Sequence, residues 1–167
     1  MVARFCLLLC ALALAACGSQ EPAGEPATRL ETASRYDIDP ATGSVSAAHT
    51  DPEGVVTRLE AGANLPAALP EPFIVYPRAE VLHNTRVEQA DARLVYLDFE
   101  TADPPGEVIA FYRELAAHAG IAPNVVVRGS KSTTLGGENK ALQLTFSINA
   151  RREGEVTQAQ LVVGKGF

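Results

Sequence analysis

The stretch DPPGEVIAFYRELAAHAG, residues 103–120, decides how the rest of the chain is read. Val108, Phe111, Tyr112, Leu115 and Ala119 recur every three or four positions, which predicts a helix over about 104–119 with one apolar stripe. Asp103 stands where an N-cap belongs, Pro104 and Pro105 fill the first turn, where a missing N–H is harmless, and Gly120 ends the run. A helix with one such stripe needs an apolar surface to lie on. Upstream, Arg93–Thr101 alternates, with Val95, Leu97 and Phe99 on one face and Tyr96, Asp98 and Glu100 on the other. Downstream, Ala141–Ala150 puts Leu142, Leu144, Phe146 and Ile148 on one face, and Val156–Val163 returns with Ala159, Leu161 and Val163 inward. The economical arrangement is α+β, an antiparallel sheet covered on one face by a single main helix.

The remaining elements are placed around that unit. Ala79–Val87 pairs with Arg93–Thr101 through a turn at Glu88–Asp91. Val125–Val127 leads through Ser130–Leu135 to a turn at Gly136-Gly137, and Arg151–Gly154 turns the chain into its last strand. Ser44–Thr50 and Val55–Glu60 flank Asp51-Pro52-Glu53-Gly54, the signature of an N-terminal hairpin. Pro66, Pro70, Pro72 and Pro77 mark an extended crossing, within which Phe73-Ile74-Val75-Tyr76 is an apolar cluster that packs on the domain.

The N-terminus has a different composition. Of its first 16 residues 15 are apolar, and Phe5 to Ala16 is unbroken. That run is too short for a membrane-spanning helix, which takes about 20 residues, but it suits the apolar core of a secretory signal. It ends Leu14-Ala15-Ala16-Cys17-Gly18, which resembles the lipobox of bacterial lipoproteins. The resemblance implies cleavage before Cys17, a diacylglycerol on its sulfur and a further acyl chain on its amine. Gly18, by similarity to the enterobacterial sorting pattern, favours the outer membrane. The alternatives are a plain cleaved signal with Cys17 incidental, or a retained anchor. Cys6 and Cys10 leave with the signal, so the mature domain holds no disulfide and relies on its core.

Gly18 to about Arg35 is rich in Gly, Pro, Glu, Ser and Thr with one large aliphatic residue, Leu30, and reads as a disordered tether. The expected organisation is a signal peptide over 1–16, the lipidated cysteine and tether over 17–43, and one periplasmic domain over 44–167. Asp37-Ile38-Asp39 lacks the third acid of a calcium loop, since Ala41 follows Pro40, and reads as turn chemistry.

Pro70-x-Pro72-Phe73-x-Val75-Tyr76-Pro77-x-Ala79, followed by Val108-x-x-Phe111-Tyr112, resembles a recurrent domain of uncharacterised proteobacterial envelope lipoproteins over roughly 65–165. There a Tyr-Pro-Gly-Ala segment precedes a strand pair and the helix carries a Phe-Tyr pair. Arg78 stands where Gly is usual, which puts the turn after Pro77 in question. The resemblance implies an α+β fold and an envelope address, and supplies no activity.

The net charge of −6 excludes a general nucleic-acid binder, which needs a basic footprint. Charge is uneven, however: residues 17–123 carry 17 acids against 7 bases, and residues 124–167 carry 3 against 6. Either the two parts neutralise each other in the fold, or the C-terminal sheet faces an acidic partner or lipid headgroup. His49, His83 and His118 show no metal spacing. Glu114 and His118 make an ordinary surface pair on the helix. Gly129-Ser130-Lys131-Ser132 lacks the earlier glycine and the Gly-Lys pair of a phosphate loop, and no Gly-x-Ser-x-Gly elbow occurs. No catalytic residue, metal or cofactor is assigned. The candidate partner or ligand surface is Tyr96, Asp98 and Glu100 with Arg151 and Arg152 at a hairpin tip; Asp98 and Glu100 are also the one carboxylate pair placed for acid–base work.

The resulting expectation is a non-enzymatic outer-membrane lipoprotein, anchored through acylated Cys17, whose periplasmic domain binds an envelope protein. The alternatives are a small-ligand site between helix and sheet, lined by Tyr76, Phe111 and Tyr112, and a hydrolase.

Overall fold

A computed structural model describes residues 34–167. The strands are β1 (Ser34–Ile38), β2 (Val45–Thr50), β3 (Val56–Ala61), β4 (Glu80–Gln89), β5 (Ala92–Thr101), β6 (Val125–Arg128), β7 (Ser132–Asn139), β8 (Leu144–Glu153) and β9 (Val156–Lys165), with helix α1 (Pro105–His118) between β5 and β6. They form one antiparallel sheet in the order β1-β2-β3-β4-β5-β9-β8-β7-β6. The chain meanders from β1 to β5 and crosses under the sheet as α1. It emerges at the far edge as β6 and meanders back, so that β9 closes against β5. The first strand falls inside the span expected as tether; residues 1–33, with the signal and Cys17, lie outside the described residues.

The alternation read in β5 and β9 puts Val95, Leu97, Phe99, Ala159, Leu161 and Val163 in the core. Helix α1 packs its Val108, Ile109, Tyr112 and Ala116 over β7 and β8. The proline-marked crossing covers the rest of that face. Its Phe73 ring stacks on Phe146 at 5.2 Å, and Tyr76 lies edge-on to Phe111 at 5.2 Å. Asn84, buried in β4, clamps the crossing by donating to the Leu65 and Pro66 carbonyls at 3.2 and 3.0 Å.

Four local expectations are corrected. Asp103 does not cap α1, and Pro104 takes that place without a side-chain bond. Pro105 holds Pro104 in an extended conformation, ψ 148°, so the helix begins one residue later than read and the Asp103 carboxylate accepts the Tyr76 hydroxyl at 2.9 Å. Gly136 and Gly137 are not a turn but lie within β7. A Cβ on Gly137 would sit 2.9 Å from Ile121 Cγ2 and 3.2 Å from the Ala122 carbonyl, so the glycine admits the connection leaving the helix. The reversal comes later, at the 3-10 turn Lys140–Leu142, where Asn139 accepts the Leu142 N–H. Leu142 is therefore exposed and β8 begins at Leu144. Finally, Arg151 and Arg152 are not at a hairpin tip. They lie within β8, and the chain turns at Gly154, whose φ is +60°.

Arg78 adopts φ 62°, the left-handed conformation that glycine takes without strain. Arg78→Gly is expected to raise stability by about 0.5–1 kcal/mol, since relief of about 1–2 kcal/mol outweighs the added freedom of the unfolded chain. The ion pair lost with it, to Asp103 at 3.6 Å, has an arginine side chain 85% exposed and contributes little. A melting temperature higher by roughly 2–5 °C checks this; an unchanged or lower value contradicts it.

Candidate functional site

Helix and crossing pack on one face of the sheet; the other carries no helix among the described residues, and the C-terminal Phe167 ring approaches it at Gly164. Register assigns the side chains of that open face to rows running across the strands. In one row His83, Asp98, Gln160, Asn149 and Thr134 are successive partners on β4, β5, β9, β8 and β7. In the next, Glu100, Gln158, Arg151 and Ser132 follow one another. Together they frame a hollow of about 370 Å³ lined by Leu82, His83, Asp98, Asn149, Arg151, Gln158 and Gln160.

Hydrogen bonds fix this polar bay. Gln160 Nε2 donates to the Tyr96 hydroxyl at 2.8 Å, which donates to Asp98 Oδ1 at 3.0 Å. Arg151 donates to Gln158 Oε1 at 2.7 Å and lies 3.4 Å from Glu153, while Asn149 donates to Thr134 Oγ1 at 2.7 Å. Partial burial, followed by the Asp98 carboxylate, pushes the Tyr96 phenol above its ordinary pKa, so it stays protonated and keeps donating at neutral pH. His83 is held by Thr85, 3.0 Å from Nε2.

Of the residues proposed from sequence, Tyr96, Asp98, Glu100 and Arg151 therefore share one surface. Arg152 points to the opposite face, where it donates to the Ala102 and Gly154 carbonyls, so the two arginines do not form one docking patch. Gln158, Gln160 and Asn149 are not marked by any motif, since single amides carry none. Their signal was the alternation itself: if Ala159 and Leu161 face in, Gln158 and Gln160 face out.

Beside the bay the open face changes character. Tyr36, Ala47, Leu59, Val87 and Leu94 are partners in one row, and Ile38, Val45, Ala61, Thr85, Tyr96 and Val162 in the row next to it. This is an apolar belt from β1 to β9, with Tyr36 65% and Ile38 51% exposed. The reverse side of β3 to β5 here is charged. Arg86 pairs with Glu60 and with Glu88 at 3.7 Å, and Arg93 with Glu88 at 2.9 Å. The sheet thus inverts its polarity along its width: apolar toward the helix at β5, β7, β8 and β9, apolar toward the open face at β1 to β4.

The site expected between helix and sheet is filled by protein. Tyr76 and Tyr112 are buried, and Phe111 lies edge-on to both, 5.1 Å from Tyr112. Burial, with help from Asp103, pushes the Tyr76 phenol up to about 12. Among the described residues no group of three His, Cys, Asp or Glu side chains is arranged to hold a metal, and no helix is long and apolar enough to cross a membrane. Compared with known proteins, the chain matches no family model, no curated protein sequence and no solved structure.

Proposed function

We propose that this chain is a non-enzymatic lipoprotein of the cell envelope, anchored to the outer membrane through acylated Cys17, whose periplasmic domain docks a protein partner on the open face of its sheet. The observation that carries the docking is the apolar belt. A sheet face bare of cover is ordinarily polar, and contiguous apolar patches on soluble surfaces mark interaction sites. The packing of Tyr76, Phe111 and Tyr112 weighs against the ligand pocket read from sequence. The anchor rests on the lipobox resemblance and gives the docking its mechanism, because confinement near the membrane raises effective concentration for a partner held there.

The test is in-cell crosslinking and pull-down with the full chain and with a Leu59→Asp/Leu94→Asp double variant. Both leucines are half-buried on the open face and outside the core, so folding is expected to survive, as circular dichroism would verify. A stoichiometric envelope protein captured by the parent and lost in the variant is the expected result. Capture unchanged by the variant, or a parent that runs as a homodimer through the belt, would overturn it.

A further inference from the structure

We propose that the polar bay next to Tyr96 is a glycan-binding site, taking a neutral, extended polyhydroxylated chain with one sugar ring stacked on Tyr96. Tyr96 and Asp98 are two residues apart on one strand, roughly 6.7 Å along it. For the Tyr96 hydroxyl to reach Asp98 Oδ1 at 3.0 Å, the ring must lie along the strand instead of standing off the sheet. Gln160 holds it there from the neighbouring strand. Tyr96 is half-exposed on the open face, and no aromatic pair among the described residues uses its ring. A half-exposed phenol pinned by its own hydroxyl offers an apolar ring with a polar rim, the complement of a pyranose, whose C–H face is apolar and whose edge is hydroxylated.

The bay supplies what that edge needs. Sugar hydroxyls both donate and accept, and adjacent hydroxyls are met by planar groups with two atoms in a row. Asp98 keeps Oδ2, Gln160 its Oε1, Gln158 its amide N–H groups and Asn149 its Oδ1 after the internal bonds are counted. The hollow of about 370 Å³ falls within the size of small-molecule sites. Asp98 and Glu100 outnumber Arg151, which is itself paired with Glu153, so negative charge prevails, which disfavours phosphate and nucleic acid. Strands are about 4.8 Å apart, close to the length of one unit in an extended β-linked glycan. A chain laid across them meets successively His83, Asp98, Gln160 and Asn149, one polar side chain for each unit.

The site adjoins the docking belt and shares Tyr96 with it, but Leu59→Asp/Leu94→Asp leaves its polar groups in place, so the failure of one reading is distinguishable from the failure of the other. The chain contains no tryptophan, so Tyr96→Trp introduces a single reporter at the platform. The full chain, in a detergent without sugar headgroups, is titrated with chitotriose, cellotriose and inorganic phosphate, reading tryptophan emission for Tyr96→Trp and amide shifts for the parent. The expected result is a saturable response to at least one oligosaccharide, with amide shifts confined to β4, β5, β8 and β9 and no response to phosphate. Tyr96→Ala should weaken binding about tenfold and Tyr96→Phe, which keeps the ring, only a few-fold. No saturation by either oligosaccharide, a response to phosphate alone, or binding indifferent to Tyr96→Ala in a folded variant would each overturn the proposal.

Discussion

Tyr112→Ala is expected to destabilise the domain by about 3–5 kcal/mol, a large part of the roughly 5–15 kcal/mol that holds an ordinary domain together. The size of the effect follows from position. Tyr112 is fully buried on α1, with its ring 6.2 Å from Phe99 on the sheet and 5.1 Å from Phe111 on its own helix. Its hydroxyl reaches past both to donate to the Ile74 carbonyl of the crossing at 3.1 Å. One side chain therefore joins helix, sheet and crossing, with no disulfide to take over the load. Removing the ring leaves a cavity among all three, and the surrounding backbone is too well paired to collapse into it. Tyr112→Phe separates the contributions: it keeps the ring and loses only the hydrogen bond, for about 1 kcal/mol. Urea unfolding midpoints measure both. A Tyr112→Ala cost under about 1 kcal/mol would show that the helix is not docked as described.

Cys17→Ala is expected to have the largest effect on where the protein resides. Each buried methylene contributes about 0.8 kcal/mol, so one acyl chain binds a membrane reversibly and several hold it firmly. Metabolic labelling with palmitate should mark the parent and leave the variant unlabelled, with altered electrophoretic mobility. Should the variant remain in the membrane fraction at unchanged mobility, the lipoprotein reading fails, and the docking and glycan proposals stand without it.

How much of this was legible depended on period. In β5 and β9 each alternate residue is apolar, and a strict period of two determines both strand and facing. The same rule failed at Gly136-Gly137, where composition imitates a turn. What those glycines serve is the close passage of Ile121 and Ala122, a contact between segments that local sequence does not encode. The sequence places Arg151 and Arg152 at a tip, but the hairpin turns two residues later, at the left-handed Gly154, and the strand's alternation sends the two arginines to opposite faces. Asp103 falls one residue short of the cap because Pro105 keeps Pro104 extended and delays the helix start. Tyr36 and Ile38 were concealed by their setting. Two apolar residues in a polar stretch look like linker until a strand partner, here β2, aligns them with Ala47 and Val45.

The position of β1 also has a mechanical consequence. Among the described residues it has one neighbour, β2, and the two are antiparallel from Ser34 opposite His49 to Ile38 opposite Val45. With the N-terminus held in a membrane as proposed, tension between membrane and a docked partner enters at Ser34, the open end of that hairpin. Load applied there peels the backbone bonds one at a time instead of shearing them together, the geometry in which a strand yields at the lowest force. The first belt side chains pulled away are Tyr36 and then Ile38, its outer margin. Under the proposed anchoring, such a pull would dismantle the partner's footing before it reached the core, making β1 a fuse between anchor and cargo.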